Sequence, residues 1–295
     1  MPLKPTPGNH IADVADIRKI TEFISLLPED LKSRMQVLEP SFLENCLSER
    51  LLFNQLTTLE QYICLLKDSP VESTILKEKL DITFSKFFRN PFSYCIIEKM
   101  VLPLLFSQNT LLLNQGLRFW SAGCGKGEEA YSLAILLEEY LQTASSDHKY
   151  LIIATDLRGK CRNTGDNYGF TESDVENISL GRLKHFFRTE GGKYFPAEAV
   201  RKKVVFSEHD LLDSTCYCPP ISIYGSFHLI FCSNVLIYYS NENRKKILKK
   251  LMTCLLPGGF LVSDSSERGL FLAEGFQEVI QGSAVFKNTA GIAGK

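Results

Sequence analysis

From Ile17 to about Lys79 apolar residues recur every third or fourth position, as in Leu47, Leu51, Leu52, Leu56 and Leu59 and again in Tyr62, Leu65 and Leu66. This spacing gathers side chains along one stripe of an α-helix. The pattern predicts a small all-helical domain over residues 1–80. Thr58 and Gln61 have the residue types of a capping box, which would open one helix, and Pro70 marks the break after it. Residues 81–115 read as a connecting segment ending in another helix. There Pro91 sits where a first turn tolerates a missing N–H, and Tyr94, Ile97, Met100, Val101 and Leu104 follow on one face.

After Gln115-Gly116 the rhythm changes, and short apolar runs alternate with helical segments. That alternation predicts an α/β fold, a doubly wound sheet with crossover helices over residues 116–295. Strands are expected at Leu117–Ser121, Tyr150–Thr155, Lys203–Ser207, Phe227–Cys232 and Gly259–Ser263, with Phe276–Ile280 and Ala284–Lys287 closing the sheet. Ser214 to Asn241 carries no acid, lysine or arginine, yet Pro219, Pro220, Gly225, His228 and Asn234 interrupt it, so it reads as a loop and a buried strand rather than a membrane span.

Composition acts on this picture by exclusion. A chain of 295 residues with 44% hydrophobic content can bury one large core beside a smaller one, which rules out a disordered or fibrous protein. Lysine plus arginine (33) balances aspartate plus glutamate (34), so there is no general field to hold a nucleic acid or an acidic membrane surface, and neither partner is expected. Among nine cysteines only Cys216 and Cys218 stand close together, with no second pair or nearby histidine, and the five histidines lack paired spacing. No metal is therefore expected, and reduced thiols point to a cytoplasmic setting. Met1 to His10 contains Lys4 and prolines but no apolar core of signal-peptide length, so secretion is not expected.

Three strand ends carry candidate chemistry. The first is Arg118-Phe-Trp-Ser-Ala-Gly-Cys-Gly-Lys-Gly-Glu-Glu-Ala, a strand running through Gly123, Gly125 and Gly127 into a helix. Such a turn lets a ligand approach the backbone at the carboxyl edge of a parallel sheet. Asp156 ends the next strand, where an acid can accept from both hydroxyls of a ribose. Asp210 ends the third, where an adenine amino group would find an acceptor. The glycines are spaced Gly-x-Gly-x-Gly, and Glu128 and Glu129 stand at the helix start. A pyrophosphate would be repelled there and the ammonium of a methionyl group attracted, which favours S-adenosylmethionine over a dinucleotide.

Four segments in order resemble the chemotaxis receptor methyltransferase (CheR) family. They are Thr83-Phe-Ser85-Lys-Phe-Phe-Arg89, Trp120-Ser-Ala-Gly-Cys-Gly-Lys-Gly-Glu-Glu-Ala-Tyr-Ser, Phe231-Cys-Ser-Asn-Val-Leu-Ile-Tyr238-Tyr, and Leu256-Pro-Gly-Gly-Phe-Leu followed by Ser265-Ser-Glu267. The resemblance runs from about Ile20 to Lys287. It implies a class I methyltransferase fold with a short antiparallel β subdomain at residues 181–206, binding S-adenosylmethionine and releasing S-adenosylhomocysteine. It also implies methyl esterification of glutamate side chains on an acidic helical protein, by default a chemoreceptor. Carried over by residue, Arg89 would lie beside the reactive end of the cofactor and the substrate carboxylate, with Thr83 and Ser85 on the same wall. Gly123 and Gly125 would form the cofactor turn, and Glu129 would hold the methionyl amino group. Asp156 would bind ribose, Asp210 and Leu211 would border adenine, and Cys232 and Ser233 would end the fourth strand, with Tyr238 facing the methyl group.

The chain departs from the family at three places. Ser233 replaces an arginine, Asp210-Leu211 stands where Asn-Leu is usual, and Ser48-Glu-Arg-Leu-Leu-Phe-Asn-Gln-Leu keeps only Arg50 of a basic helix. The loss of charge at Ser233 and in the basic helix leaves room for a different protein substrate, or for a non-catalytic module that binds the cofactor and regulates a partner. Methylation of a nucleic acid or a small molecule is disfavoured, because the chain lacks an Asn-Pro-Pro-Tyr type motif and any excess of basic residues.

Overall fold

The computed structural model describes residues 14, 16–80, 85–107, 116–157, 168–222 and 226–289. They divide into two units, Met1–Ile82 with Tyr238–Arg244, and Thr83–Ile237 with Lys245–Lys295.

The first unit contains α1 (Ile17–Ser25), α2 (Glu29–Gln36), α3 (Pro40–Phe53), α4 (Leu59–Asp68) and α5 (Pro70–Leu80). Two of its helices, α1 and α4, start where a side chain satisfies free backbone donors. The Asp16 carboxylate accepts from Arg18 N at 2.9 Å, and Thr58 with Gln61 forms the reciprocal capping box. Phe23, Leu31, Met35, Leu47, Leu51 and Tyr62 fill the core, whereas Leu52, assigned to the same stripe, is 64% exposed. At the centre lies a buried polar cluster. Arg50 Nε donates to Glu72 Oε1 at 2.8 Å, and the Tyr62 hydroxyl donates to the same oxygen at 2.7 Å. Burial presses the Glu72 carboxyl upward, but these hydrogen bonds outweigh it and hold its pKa below the usual value. The remaining basic residue of α3 is thus an internal counter-ion and not a surface charge. Tyr238 belongs to this unit, its ring edge-on to Phe42 with centroids 5.3 Å apart and its carbonyl accepting from Glu39 N at 2.8 Å.

The second unit begins with one helical rod built from α6 (Pro91–Ile96), a π turn at Ile97–Val101, and α7 (Leu102–Ser107). Asn90 caps it and Pro91 occupies its first position. Pro103 supplies a physical cause for the widened turn, since its ring presses on the carbonyl four residues back and it donates no N–H. The extra residue also moves the apolar face. Leu102 and Leu105 are buried, and Leu104, placed on that face by regular spacing, is 37% exposed.

The sheet comprises β1 (Leu117–Ala122), β2 (Tyr150–Asp156), β5 (Val204–Glu208), β6 (Phe227–Phe231), β7 (Leu255–Val262) and β8 (Val285–Lys287), in the order β5-β2-β1-β6-β7-β8. All neighbours are parallel except β7 and β8. Helix α8 (Glu128–Thr143) follows β1, and α11 (Asn241–Cys254) leads into β7. The order reverses between β1 and β6, which opens the carboxyl edge of those strands to a ligand. Between β2 and β5 come α9 (Leu180–Phe186), a hairpin of β3 (Phe187–Glu190) and β4 (Lys193–Pro196), and α10 (Glu198–Arg201). Phe276–Ile280 is not a strand and makes only the single bridge Glu278 to Phe286. The reason is Glu278, whose carboxylate accepts from Arg268 of α12 (Arg268–Ala273) and from the N–H groups of Gly282 and Ala284, folding the segment into a turn.

Candidate active site

The loop after β1 can be formed only by glycine at its decisive points. Gly123, Gly125 and Gly127 have φ of +76°, +56° and +99°. A Cβ on Gly123 would lie 2.4 Å from Val235 Cγ2, and one on Gly127 would lie 2.8 Å from Phe206 Cζ. The turn is fastened to the end of β2. Gly123 N and Cys124 N both donate to the Thr155 carbonyl, and Gly125 N donates to Asp156 Oδ2 at 2.7 Å.

Directly after the turn, α8 starts with two acids that face inward. Glu129 is 9% exposed and accepts from the Ser121 hydroxyl at 2.7 Å and from the Ser233 side chain. Burial pushes its carboxyl up to about 8, and the carboxylates of Glu267 and Glu128 add to the shift. Glu128 is 2% exposed, with Oε2 buried and unpartnered. Burial raises it to about 7, against the pull of Lys126 and a hydrogen bond from Ser85. A helix N-terminus favours negative charge by a fraction of what this desolvation costs, so the site stores unmet demand for a cation.

Glu267 is a buried acid to which sequence reasoning assigned no role, although it lies in the last signature segment. Fully buried, it accepts from four consecutive backbone donors, Asn234 N, Val235 N, Leu236 N and Ile237 N, and from the Ser263 hydroxyl. It therefore shapes the loop after β6 that brings Ser233 to Glu129 and Val235 to Gly123.

Most of the other candidates described in this unit lie near the same edge of the sheet, whereas Tyr238 belongs to the helical unit. Ser85 packs over the glycine turn, its Cβ 3.6 Å from where a Cβ on Gly125 would be. Thr83 lies outside the described residues. Arg89 Nε is 3.9 Å from Asp264 Oδ2 at the end of β7, with the arginine side chain 33% exposed. Burial opposes ionisation of Asp264, but hydrogen bonds from Ser266 and the Arg89 charge hold its pKa below the usual value. Asp210 is exposed and caps its own turn by accepting from Leu212 N, while Leu211 is buried. His209 N donates to the Asp156 carbonyl, which ties this loop to β2. Burial lowers the His209 ring to about 4, so it is neutral there. Cys232 is fully buried, its N–H donating to the Val262 carbonyl. Among the described residues no group of three histidine, cysteine or acidic side chains could hold a metal ion.

A doubly wound sheet with a glycine turn, an acid ending the second strand and a cation-seeking acid at the first helix defines an S-adenosylmethionine-dependent methyltransferase of class I. The profile of the CheR methyltransferase, SAM binding domain, matches residues 83–283, and the chain belongs to that family. Among its relatives, an uncharacterized 104.1 kDa protein in the hypE 3' region of Rhodobacter capsulatus is 30% identical, over 78% of this chain and 23% of that protein. Chemotaxis protein methyltransferase 1 of Pseudomonas aeruginosa is 34% identical, over 65% of this chain and 69% of the relative. The chemotaxis protein methyltransferase of Borreliella burgdorferi is 28% identical, over 76% and 79% respectively. The chain thus spans about a quarter of the first relative's length and more than two thirds of the other two.

Proposed function

We propose that this chain esterifies glutamate side chains of a protein, a methyl-accepting chemoreceptor, with S-adenosylmethionine as the methyl donor. One observation carries the reading. Glu129 is buried at the start of α8, held among the described residues by hydroxyls and near like charge, and its pKa is driven to about 8. The ammonium of a methionyl group is the complement of that environment. Asp156 would then hold the ribose, Asp210 and Leu211 would border the adenine, and Cys232 would close the pocket from the end of β6.

When bound, S-adenosylmethionine supplies an electrophilic methyl group on a sulfonium. A substrate glutamate has a reference pKa of about 4.3, so it arrives ionised and needs no base. The protein's task is alignment and partial dehydration. Arg89 offers a planar donor fork for aligning the incoming carboxylate. A tight grip would stabilise the ground state instead. The reading places the enzyme in the cytoplasm, where its thiols stay reduced.

Purified protein with methyl-labelled cofactor and receptor should yield alkali-releasable methyl ester, and Arg89→Ala should remove turnover while leaving S-adenosylhomocysteine binding within about threefold. Ser233, where the family has arginine, favours a second reading as a cofactor-binding regulatory module. That reading gains if calorimetry shows tight S-adenosylhomocysteine binding and no substrate yields ester.

A further inference from the structure

Away from the glycine turn, the loop that follows β5 meets the C-terminal end of α11 through sulfur. Cys218 Sγ and Cys254 Sγ lie 2.9 Å apart. Cys218 is half-buried and Cys254 is fully buried. The loop is held in place from the same helix. One turn before Cys254, the buried Lys250 ammonium donates to the carbonyls of Asp210, Asp213 and Cys216 at 3.2, 2.6 and 3.0 Å. Cys254 Sγ also donates to the Tyr217 carbonyl at 3.3 Å, while Cys216 Sγ is turned to the Cys218 carbonyl at 2.9 Å. The two sulfurs are therefore brought together by a framework that does not depend on a bond between them, and the ordering of the loop is already complete.

We propose that Cys218 and Cys254 form a modification site, an oxidisable dithiol that hydrogen peroxide converts reversibly into an intrachain disulfide. Cys218 reacts first because its sulfur is the more accessible. The sulfur attacks one peroxide oxygen, the O–O bond breaks, and the departing hydroxide takes the thiol proton, leaving a sulfenic acid and one water. The Cys254 sulfur then attacks the Cys218 sulfur, the S–O bond breaks, and hydroxide leaves with the Cys254 proton as a second water. Two thiols lose two electrons, and one peroxide becomes two waters. Burial, with the neighbouring Cys218, raises the Cys254 thiol, so it keeps its proton until that second step. The product pins the loop carrying Asp210 and Leu211 to α11. This chemistry is independent of the methyl transfer proposed above.

The test treats the reduced full chain with hydrogen peroxide alone, alkylates the remaining thiols after denaturation, and maps peptides by mass spectrometry. Before alkylation the expected product is about 2 Da lighter and returns to the starting mass with dithiothreitol, and after alkylation and digestion it contains a Cys218–Cys254 linked peptide. Cys216→Ser should still form it, whereas Cys218→Ser and Cys254→Ser should not. A link through Cys216, or Cys218 carried on to sulfinic acid while Cys254 is recovered as an alkylated thiol, overturns the proposal. Mapping the unaltered chain decides the matter even where a variant fails to fold.

Discussion

Glu72 in the helical unit and Glu129 in the sheet unit are both acids withdrawn from water, and they are compensated in opposite ways. Glu72 has its cation built in, with Arg50 and Tyr62 on the same oxygen, and its pKa is held down. Glu129 has two hydroxyls and neighbouring carboxylates, and its pKa is driven to about 8. The first arrangement is complete and serves the fold. The second lacks a cation of its own, and on the proposed reading a positively charged ligand would complete it.

The largest effect should come from breaking the complete pair. Arg50→Met leaves Glu72 buried without its cation and should lower the unfolding free energy by about 3 kcal/mol in urea, with S-adenosylhomocysteine affinity unchanged. A loss of affinity in step with stability would end the contrast. Next, Glu129→Gln should weaken S-adenosylhomocysteine binding about 100-fold by calorimetry, without destabilising the ligand-free protein at pH 7 to 8.

Proton linkage sharpens the same point. The folded pKa of Glu129 is raised above its ordinary value of 4.5, so its contribution to ligand-free stability is fully present below about 4.5 and is lost as pH rises toward about 8. The ligand-free chain should therefore lose stability across that window relative to Glu129→Gln. S-adenosylhomocysteine affinity should rise with pH up to about 8, by at most about tenfold per unit, with one proton released. Binding heats measured in buffers of different ionisation enthalpy count that proton, and a count of zero would sink the linkage. The smallest effect is expected from Ser233→Ala. It removes one of two hydroxyl partners and should weaken binding about fivefold.

Much of the sheet was legible because parallel strands buried on both faces appear as continuous apolar runs, and β1, β2, β5 and β6 end within a residue or two of the apolar boundaries. The failures had local causes. Phe276–Ile280 looked like a strand, but Glu278 collects donors from Arg268, Gly282 and Ala284 and bends it. The glycine turn was legible because positive φ and close packing restrict its residue types. Glu267 was not, because its partners are backbone donors 30 to 33 residues earlier in the chain, which leave no mark on side-chain pattern. The internal pairing of Arg50 was not legible either, because its counter-ion lies 22 residues away.

The π turn at Ile97–Val101 sets a phase between the two ends of its rod. One residue of an α-helix corresponds to about 100° of rotation. A single deletion at Glu98 would turn the wide turn into an ordinary one and keep the phase, whereas a deletion elsewhere in the rod would swing the segment bearing Phe88 and Arg89 by that angle against the buried face of α7. Here chain length is itself a specificity element: insertions and deletions in this rod should be tolerated far less well than substitutions.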